Sequence, residues 1–189
     1  GSVSPVRSST ASRTVPAHGR RQVDEWHEAI NQRVVDPFID GPLPRRTKGW
    51  QRLVKWDRCG IGEWDSEKTN PSTGEHTRWQ IRELCSNRAF NTEGRSLHHC
   101  ALSYVKSCRS GNTTIWSLSA KVDETRTSVL TIAVDPRSRI VTQARGKYNA
   151  SLAAAETGKG NIDRAGARLM TRARPVMERW MRRERLRKS

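Results

Sequence analysis

The sequence predicts an α+β fold: a small, mostly antiparallel sheet with the core order β-α-β-β-β, two helices before it and an arginine-rich helix after it. Two patterns support this prediction. Apolar and polar residues alternate in several short segments, as in strands that cover a core with one face. In the segments around them apolar residues recur at helical spacing, as in amphipathic helices.

Composition indicates that only part of the 189-residue chain forms a core. Hydrophobic residues make up 34%, but seven tryptophans argue against wholesale disorder. Gly1 and Ser2 resemble the remnant of an expression tag. We divide the chain into a disordered basic arm (1–19), a helical and loop part (20–75), an α+β core (76–158) and an arginine-rich helix (159–189).

The charge of the chain predicts a polyanionic partner. The formal net charge is +16 and the isoelectric point is about 10.9. Such a surface favours nucleic acid, DNA or RNA, because binding releases counterions from the phosphates. An acidic protein partner is the alternative, and an arginine-rich proteome would explain the charge without any partner. No apolar run approaches the ~18 residues of a membrane span, so no membrane partner is expected.

The four cysteines are predicted to be reduced thiols of a cytoplasmic protein. Cys59, Cys85, Cys100 and Cys108 lack the repeated short spacing of zinc modules. The sequence therefore predicts no metal site and no cofactor.

The segment before the core is predicted to contain two helices and a loop. Apolar residues at helical spacing predict the first helix over 20–35 and a short second helix over 48–58. Asn, Pro, Ser and Gly predict a turn-rich loop over 66–75.

The core is predicted to begin with a strand and a helix. Thr77, Trp79 and Ile81 alternate with polar residues, which predicts a strand that ends near Arg82. A helix follows, with Ser96 as its N-cap and Gly111 at its end.

Three further strands are predicted over 113–120, 127–134 and 139–146. Asp135 and Pro136 suit the first two positions of a turn, so the last two strands should form a hairpin.

The last segment has an apolar stripe at helical spacing among many arginines. Asn161 is a plausible cap for this helix, and Pro175 should kink or interrupt it. The arginines predicted to hold phosphates are Arg164, Arg168, Arg172, Arg179, Arg182 and Arg183.

A set of residues between Leu84 and Asn149 resembles the PcfJ-like family. The matching positions are Glu93, Gly94, Leu97, His98, His99, Cys100, Tyr104, Gly111, Ile115, Thr131, Ile132, Gln143, Arg145, Gly146 and Asn149. The resemblance implies a setting on conjugative plasmids or other mobile elements. It supplies no established reaction.

One hypothesis makes Cys100 a nucleophile and His99 its base. At the start of a helix the dipole and free amides would lower the pKa of a thiol. Adjacent residues on a helix diverge by about 100°, however, which places this pair poorly for proton transfer. Packing of Cys100 as a small apolar residue, with the histidines hydrogen-bonded, is the alternative. On the predicted helix His99 points to solvent or a cleft.

A second cluster is predicted to bind a ligand. His98, Gln143, Arg145 and Asn149, with the amides around Gly146, could hold a phosphate, a base edge or a carboxylate. Capping of a strand end is the alternative for these polar residues.

These observations predict an accessory protein of a mobile element that binds nucleic acid through its phosphates without reading sequence. An enzyme acting on nucleic acid or nucleotide, with the His/Cys and Gln/Arg/Asn residues in its site, is the second hypothesis. A module that recognises an acidic protein is the third.

Overall fold

The structure is a computed structural model that describes residues 53–158 and 162–189. The predicted arm over 1–19, the predicted helix over 20–35 and the predicted cap Asn161 lie outside these ranges. Of the short helix predicted over 48–58, residues 48–52 also lie outside these ranges, and residues 53–58 are not helical: Lys55 forms an isolated antiparallel bridge with Ser86. This segment pairs with the residues after the second strand: Trp56 N–H donates to Cys85 O at 3.1 Å, and Trp56 packs on Phe90 at 5.4 Å.

Within residues 53–158 and 162–189, six strands form one sheet in sequence order. Their bounds are β1 Trp64–Thr69, β2 His76–Glu83, β3 Thr114–Val122, β4 Thr125–Asp135, β5 Ile140–Arg145 and β6 Arg187–Lys188. Neighbours from β1 to β5 are antiparallel, whereas β6 runs parallel to β5. The α+β class is confirmed, but the sheet is mixed and larger than the small, mostly antiparallel one predicted.

Both additional strands lie at sheet edges, where sequence signals are weak. β1 falls partly in the predicted loop because its mostly exposed, polar residues show no apolar alternation. β6 has only two residues and gains its partner when the chain returns along β5 after the last helix.

In the described part of the chain, four α-helices and two single-turn 3-10 helices accompany the sheet. The α-helices are α1 Asn87–Leu97, α2 Val105–Arg109, α3 Leu152–Thr157 and α4 Arg164–Arg183. The 3-10 helices are Ala101–Tyr104 and Lys147–Asn149. Among the described residues, none of the helices has the length and apolar character needed to cross a membrane.

The helix predicted from Ser96 to Gly111 begins at the wrong place and is not continuous, but its end is confirmed, because α2 stops at Arg109 and Gly111 is left-handed with φ of 69°. Ser86 is the actual N-cap, its hydroxyl accepting from Ala89 N–H at 3.2 Å. α1 ends at Leu97 because His98 takes the left-handed conformation with φ of 50°. Sequence periodicity missed α1 because Glu93, a charged residue, occupies a buried position on its inner face.

The predicted strands β2 to β5 are confirmed within one or two residues at each end. The predicted hairpin between β4 and β5 is also present, and Asp135 Oδ1 accepts from the backbone N–H groups of Arg137 and Ser138 at 2.9 and 3.3 Å. This side chain supplies the turn with the acceptor that its backbone lacks.

The main core lies between the sheet and α4. Leu130 and Ile132 of β4 are fully buried there with Trp116 of β3, and Trp116 packs on Trp180 of α4 at 5.0 Å between ring centroids. Burial of such large rings supplies much of the stability of a small domain. The opposite face of the sheet contacts α1.

α4 is continuous across Pro175, so the predicted interruption is wrong. Pro175 is on the exposed side, where water can satisfy the carbonyl group that loses its helical N–H partner. Asp163 caps the helix: its Oδ1 accepts from Gly166 N–H at 2.7 Å.

Candidate functional site

The face of the sheet that contacts α1 contains a buried carboxylate. Glu93 is 4% exposed. Its Oε2 accepts from the hydroxyls of Ser117 on β3 and Ser128 on β4 at 2.8 and 3.0 Å, and its Oε1 accepts from Thr131 of β4 at 2.9 Å. Burial raises the pKa of Glu93, although the three hydroxyl donors and Arg126 act against that rise. One acid of α1 thus joins the helix to two strands.

His99 extends this network. Its Nε2 lies 2.9 Å from Thr131 Oγ1, and the side chain is buried. Burial lowers the pKa of His99 to about 4, so the imidazole is neutral at pH 7. Thr131 has one hydroxyl hydrogen, which it donates to Glu93, so its oxygen accepts from His99 Nε2–H. The expectation that His99 points to solvent or a cleft is wrong.

Gly94 allows the backbone after α1 to turn closely over the helix. The N–H groups of His98 and His99 both donate to Gly94 O. A Cβ on Gly94 would lie 2.9 Å from His99 O, a distance that would force the turn to shift. The consecutive Glu93 and Gly94 therefore have complementary roles. Glu93 bonds the two strands, and Gly94 leaves room for the backbone of His98 and His99.

His98 stacks on Tyr148. The ring centroids are 5.0 Å apart and the planes are inclined by 29°. Tyr148 belongs to the 3-10 helix after β5 and is 45% exposed. Lys147 Nζ lies 5.3 Å from the centroid of the Tyr148 ring. The structure thus joins His98 to the turn that contains Asn149.

Gln143 and Arg145 occupy the same sheet face as the buried network. Arg145 is the cross-strand partner of Thr131, and such partners point to one side of a sheet. Gln143 Oε1 accepts from Tyr104 OH at 3.0 Å. Burial raises the pKa of Tyr104, and the positive charge of Arg145 opposes that rise. Both predicted clusters therefore lie on one side of the sheet, although their binding role stays a prediction.

Cys100 does not occupy the place that its proposed chemistry requires. It lies in the turn between α1 and the 3-10 helix, outside the first turn of any α-helix. Among the described residues, no hydrogen bond joins its thiol to His98 or His99. The geometric premise of the nucleophile hypothesis is therefore wrong.

The four cysteines are free thiols. Desolvation is the main cause that raises the pKa of Cys85 to about 11 and that of Cys108 to about 12. No group of three or more His, Cys, Asp or Glu side chains with metal-binding geometry occurs in the ranges 53–158 and 162–189.

Two of the predicted phosphate-binding arginines have partners within the chain. Arg172 bonds Glu75 at 2.8 Å and Thr77 at 2.7 Å. Arg183 lies over Trp64, its guanidinium carbon 5.2 Å from the ring centroid. These contacts draw both side chains toward the sheet, so they are poorly placed to hold an external phosphate.

The other four arginines have no such partner. We call Arg164, Arg168, Arg179 and Arg182 the arginine stripe. All four are exposed, and within the part of the chain that the structure describes none forms a hydrogen bond or an ion pair through its side chain. At about 100° and 1.5 Å per residue they fall within roughly 60° of one another, along roughly 27 Å of the outer side of α4. Arg172 and Arg183 flank this stripe.

Sequence reasoning missed the chemical role of Glu93 and its three hydroxyl partners. The available signal was the occurrence of Ser117, Ser128 and Thr131 within the mostly apolar runs 115–120 and 128–134. Buried hydroxyls need hydrogen-bond partners, so these positions called for an acceptor from a covering element.

A comparison with protein-family models supports the resemblance to the PcfJ-like family. A search of curated proteins and a search of solved structures each found no significant match. The family model for PcfJ-like protein matches residues 62–158, just over half of the chain, and this segment contains β1 to β5, the buried network and the His98–Tyr148 stack. The chain belongs to the PcfJ-like protein family.

Proposed function

We propose that this PcfJ-like protein is a nucleic-acid-binding accessory protein of a mobile genetic element, acting in the cytoplasm and gripping phosphates without reading sequence. The observation that carries the proposal is the arginine stripe, four exposed guanidinium groups that no carboxylate of the described chain neutralises. The mobile-element setting rests on the family resemblance alone.

The stripe suits a polyphosphate for physical reasons. Arginine stays charged at any physiological pH and donates in a planar fork that fits two phosphate oxygens. Leaving four such groups unpaired on one helix face costs self-repulsion. A phosphate backbone removes that cost and gains entropy when its counterions leave.

The same geometry argues against sequence reading. Contacts to phosphates set the position of a protein on nucleic acid but carry no base information. α4 lies against the sheet through its apolar side, and the stripe is on the outer side. The stripe therefore supports affinity for any sequence of sufficient length.

We rank the enzyme hypothesis second because of burial. His99 is 8% exposed and Glu93 is 4% exposed, so neither can contact a substrate unless α1 moves. Their hydrogen bonds tie α1 to the sheet. We assign this network a scaffold role, with the stripe providing the binding surface.

The test compares two variants of equal charge. The stripe variant carries Arg164→Gln, Arg168→Gln, Arg179→Gln and Arg182→Gln. The matched control carries Arg88→Gln, Arg95→Gln, Arg109→Gln and Arg137→Gln, which are exposed arginines outside α4. Binding to fluorescent duplex and single-stranded oligonucleotides is followed by anisotropy, and folding is checked by circular dichroism.

At ~0.1 M salt the stripe variant should lose affinity by on the order of a hundredfold, because each lost phosphate contact removes about one released counterion. The control should lose much less. Equal losses in both variants would show that total charge, not the stripe, drives binding. Absence of binding by the unmodified protein at low salt would overturn the proposal.

A further inference from the structure

We infer that Tyr148 is a stacking platform for one unpaired base of a single-stranded nucleic acid. This inference rests on the proposed function and deepens it, because it names the form of nucleic acid that the site would select. It is carried by the exposure, support and surroundings of the ring.

The Tyr148 ring is exposed although aromatic rings gain by burial. In the described ranges, Leu53 is the other large hydrophobic side chain with comparable exposure, at 45% for each. The phenol ring of Tyr148 is not left loose, because the imidazole of His98 stacks on it at 5.0 Å. A ring supported in this way loses little further entropy when a base stacks against it.

The backbone that presents the ring is held in a costly conformation. Tyr148 and Asn149 follow one another with φ of 54° and 60°. Non-glycine residues rarely adopt this left-handed region, and such conformations persist where the surroundings impose them and cluster at functional sites.

The surroundings of this turn do impose its shape. Gly146 N–H donates to Ala150 O at 2.9 Å, and Ala150 N–H donates to Lys147 O at 3.1 Å, which closes the turn on itself. A Cβ on Gly146 would lie 2.4 Å from Met170 Sδ, so Gly146 is seated directly on α4. The turn is thus held between α4 and His98 at the end of α1.

The buried network supports the platform from below. His99, the residue after His98, is fixed by its bond to Thr131, which in turn bonds Glu93. His98 cannot move far while its neighbour is anchored in this way. The buried network therefore fixes the position of the exposed Tyr148 ring.

The charges around the ring fit a nucleotide. Lys147 Nζ lies 5.3 Å from the Tyr148 centroid. No carboxylate of the described chain forms an ion pair with Lys147 or Arg145. A base that stacked on the ring would displace the lysine ammonium, which could then bond the attached phosphate. An aromatic ring beside an unpaired cation is an arrangement that single-strand binding proteins use.

This arrangement selects unpaired bases over duplex. In a duplex the base faces are covered by their neighbours in the stack, so the ring cannot reach them. In a single strand every base offers a face, and stacking on an aromatic ring tolerates any sequence. The platform would thus add single-strand affinity to the general phosphate affinity of the arginine stripe.

The test uses the full-length protein with Tyr148→Gly and Tyr148→Phe. Glycine accepts the positive φ, so the turn is kept while the ring is lost; phenylalanine keeps the ring. Probes are oligodeoxynucleotide and oligoribonucleotide single strands, a DNA duplex, and an abasic strand with the same phosphates. Single strands also carry 2-aminopurine, whose fluorescence falls when it stacks.

Tyr148→Gly should weaken binding to both base-bearing single strands by roughly fivefold to a hundredfold, the range for loss of one base–aromatic stack. It should leave the duplex and the abasic strand unchanged and abolish the 2-aminopurine quenching. Tyr148→Phe should behave as the unmodified protein. If Tyr148→Gly weakens the deoxyribose and ribose strands to different extents, the strand that loses more affinity is the one that stacks better on Tyr148.

Two outcomes would overturn the inference, and they are distinct. If the unmodified protein binds but Tyr148→Gly weakens every probe equally or none of them, only the platform falls. If the unmodified protein binds no probe at low salt, the platform falls together with the proposed function.

Discussion

The hydroxyl of Thr131 donates to the carboxylate of Glu93 across 38 residues of sequence, at 2.9 Å, in the space between α1 and β4. The same oxygen accepts from His99, so one threonine joins a buried acid to a buried imidazole. The chain turns at His98, between Glu93 and His99. The bonds of these two residues to Thr131 therefore determine where α1 can end.

Removal of the carboxylate should destabilise the fold. Glu93→Ala leaves three buried hydroxyls without their acceptor and opens a cavity under α1. We expect the free energy of unfolding to fall by about 2–4 kcal/mol in urea titrations. Glu124→Ala, at an exposed acid paired with Lys121, should leave it nearly unchanged, because solvent screens such a pair. Equal effects of the two changes would contradict the role given to Glu93.

The stability of the protein should depend on pH through His99. The native pKa of His99 is lowered to about 4 from 6.5, so between these values the unfolded chain binds more protons than the native chain. Its contribution to stability is present above pH 6.5 and is lost as the pH falls toward 4, by about 3 kcal/mol in all. Glu93 acts in the opposite sense because its native pKa is raised. Its contribution to stability is lost as the pH rises above the pKa that Glu93 has in the unfolded chain.

Comparison with His99→Gln separates the contribution of His99 to the pH dependence of stability from that of Glu93. Glutamine can still donate an N–H to Thr131 but does not titrate. Urea unfolding between pH 4 and pH 7 should show a smaller gain of stability with rising pH in His99→Gln than in the unmodified protein. Parallel curves for the two proteins would mean that His99 titrates normally in the fold.

Gly94→Ala should destabilise the protein although alanine favours helices. The helix preference is worth about 1 kcal/mol, but the new Cβ would lie 2.9 Å from His99 O, a backbone atom. Thermal unfolding should show a lower Tm and loss of the His98–Tyr148 contact by NMR. Ala89→Gly, at a half-buried position of the same helix, should cost about 1 kcal/mol without moving the histidines.

The start of α4 should depend on its cap. Asp163→Ala removes the acceptor of Gly166 N–H and should lower the free energy of unfolding by about 1 kcal/mol. Asp163→Asn keeps an acceptor oxygen and should cost little. If hydrogen exchange shows an unchanged first turn of α4 in Asp163→Ala, another group caps the helix.

Much of the sheet could be predicted because its signals are local. Alternation around Trp79 marks β2, and Asp135 with Pro136 marks the hairpin. The apolar residues of β4 follow the same period. Each of these patterns depends on residues near in sequence, so no knowledge of tertiary contacts was needed.

The end of α1 could not be predicted because it depends on distant contacts. A left-handed histidine is unfavourable by itself, and His98 adopts this conformation because Gly94 accepts two N–H groups and Thr131 holds His99. The strand β6 depends likewise on the return of α4 to the edge of β5. The candidate site was found as a set of motif residues that includes Glu93, but the buried position and hydrogen-bonding role of Glu93 were not predicted, since hydrophobic patterning does not identify a buried Glu.

The salt dependence of duplex binding tests the central claim most directly. The slope of log K against log salt reports the number of phosphate contacts, at about 0.9 per contact. The stripe variant should show a slope shallower by roughly three to four than that of the unmodified protein, whereas the matched control should keep it. An unchanged slope in the stripe variant would contradict the claim that these four arginines hold phosphates.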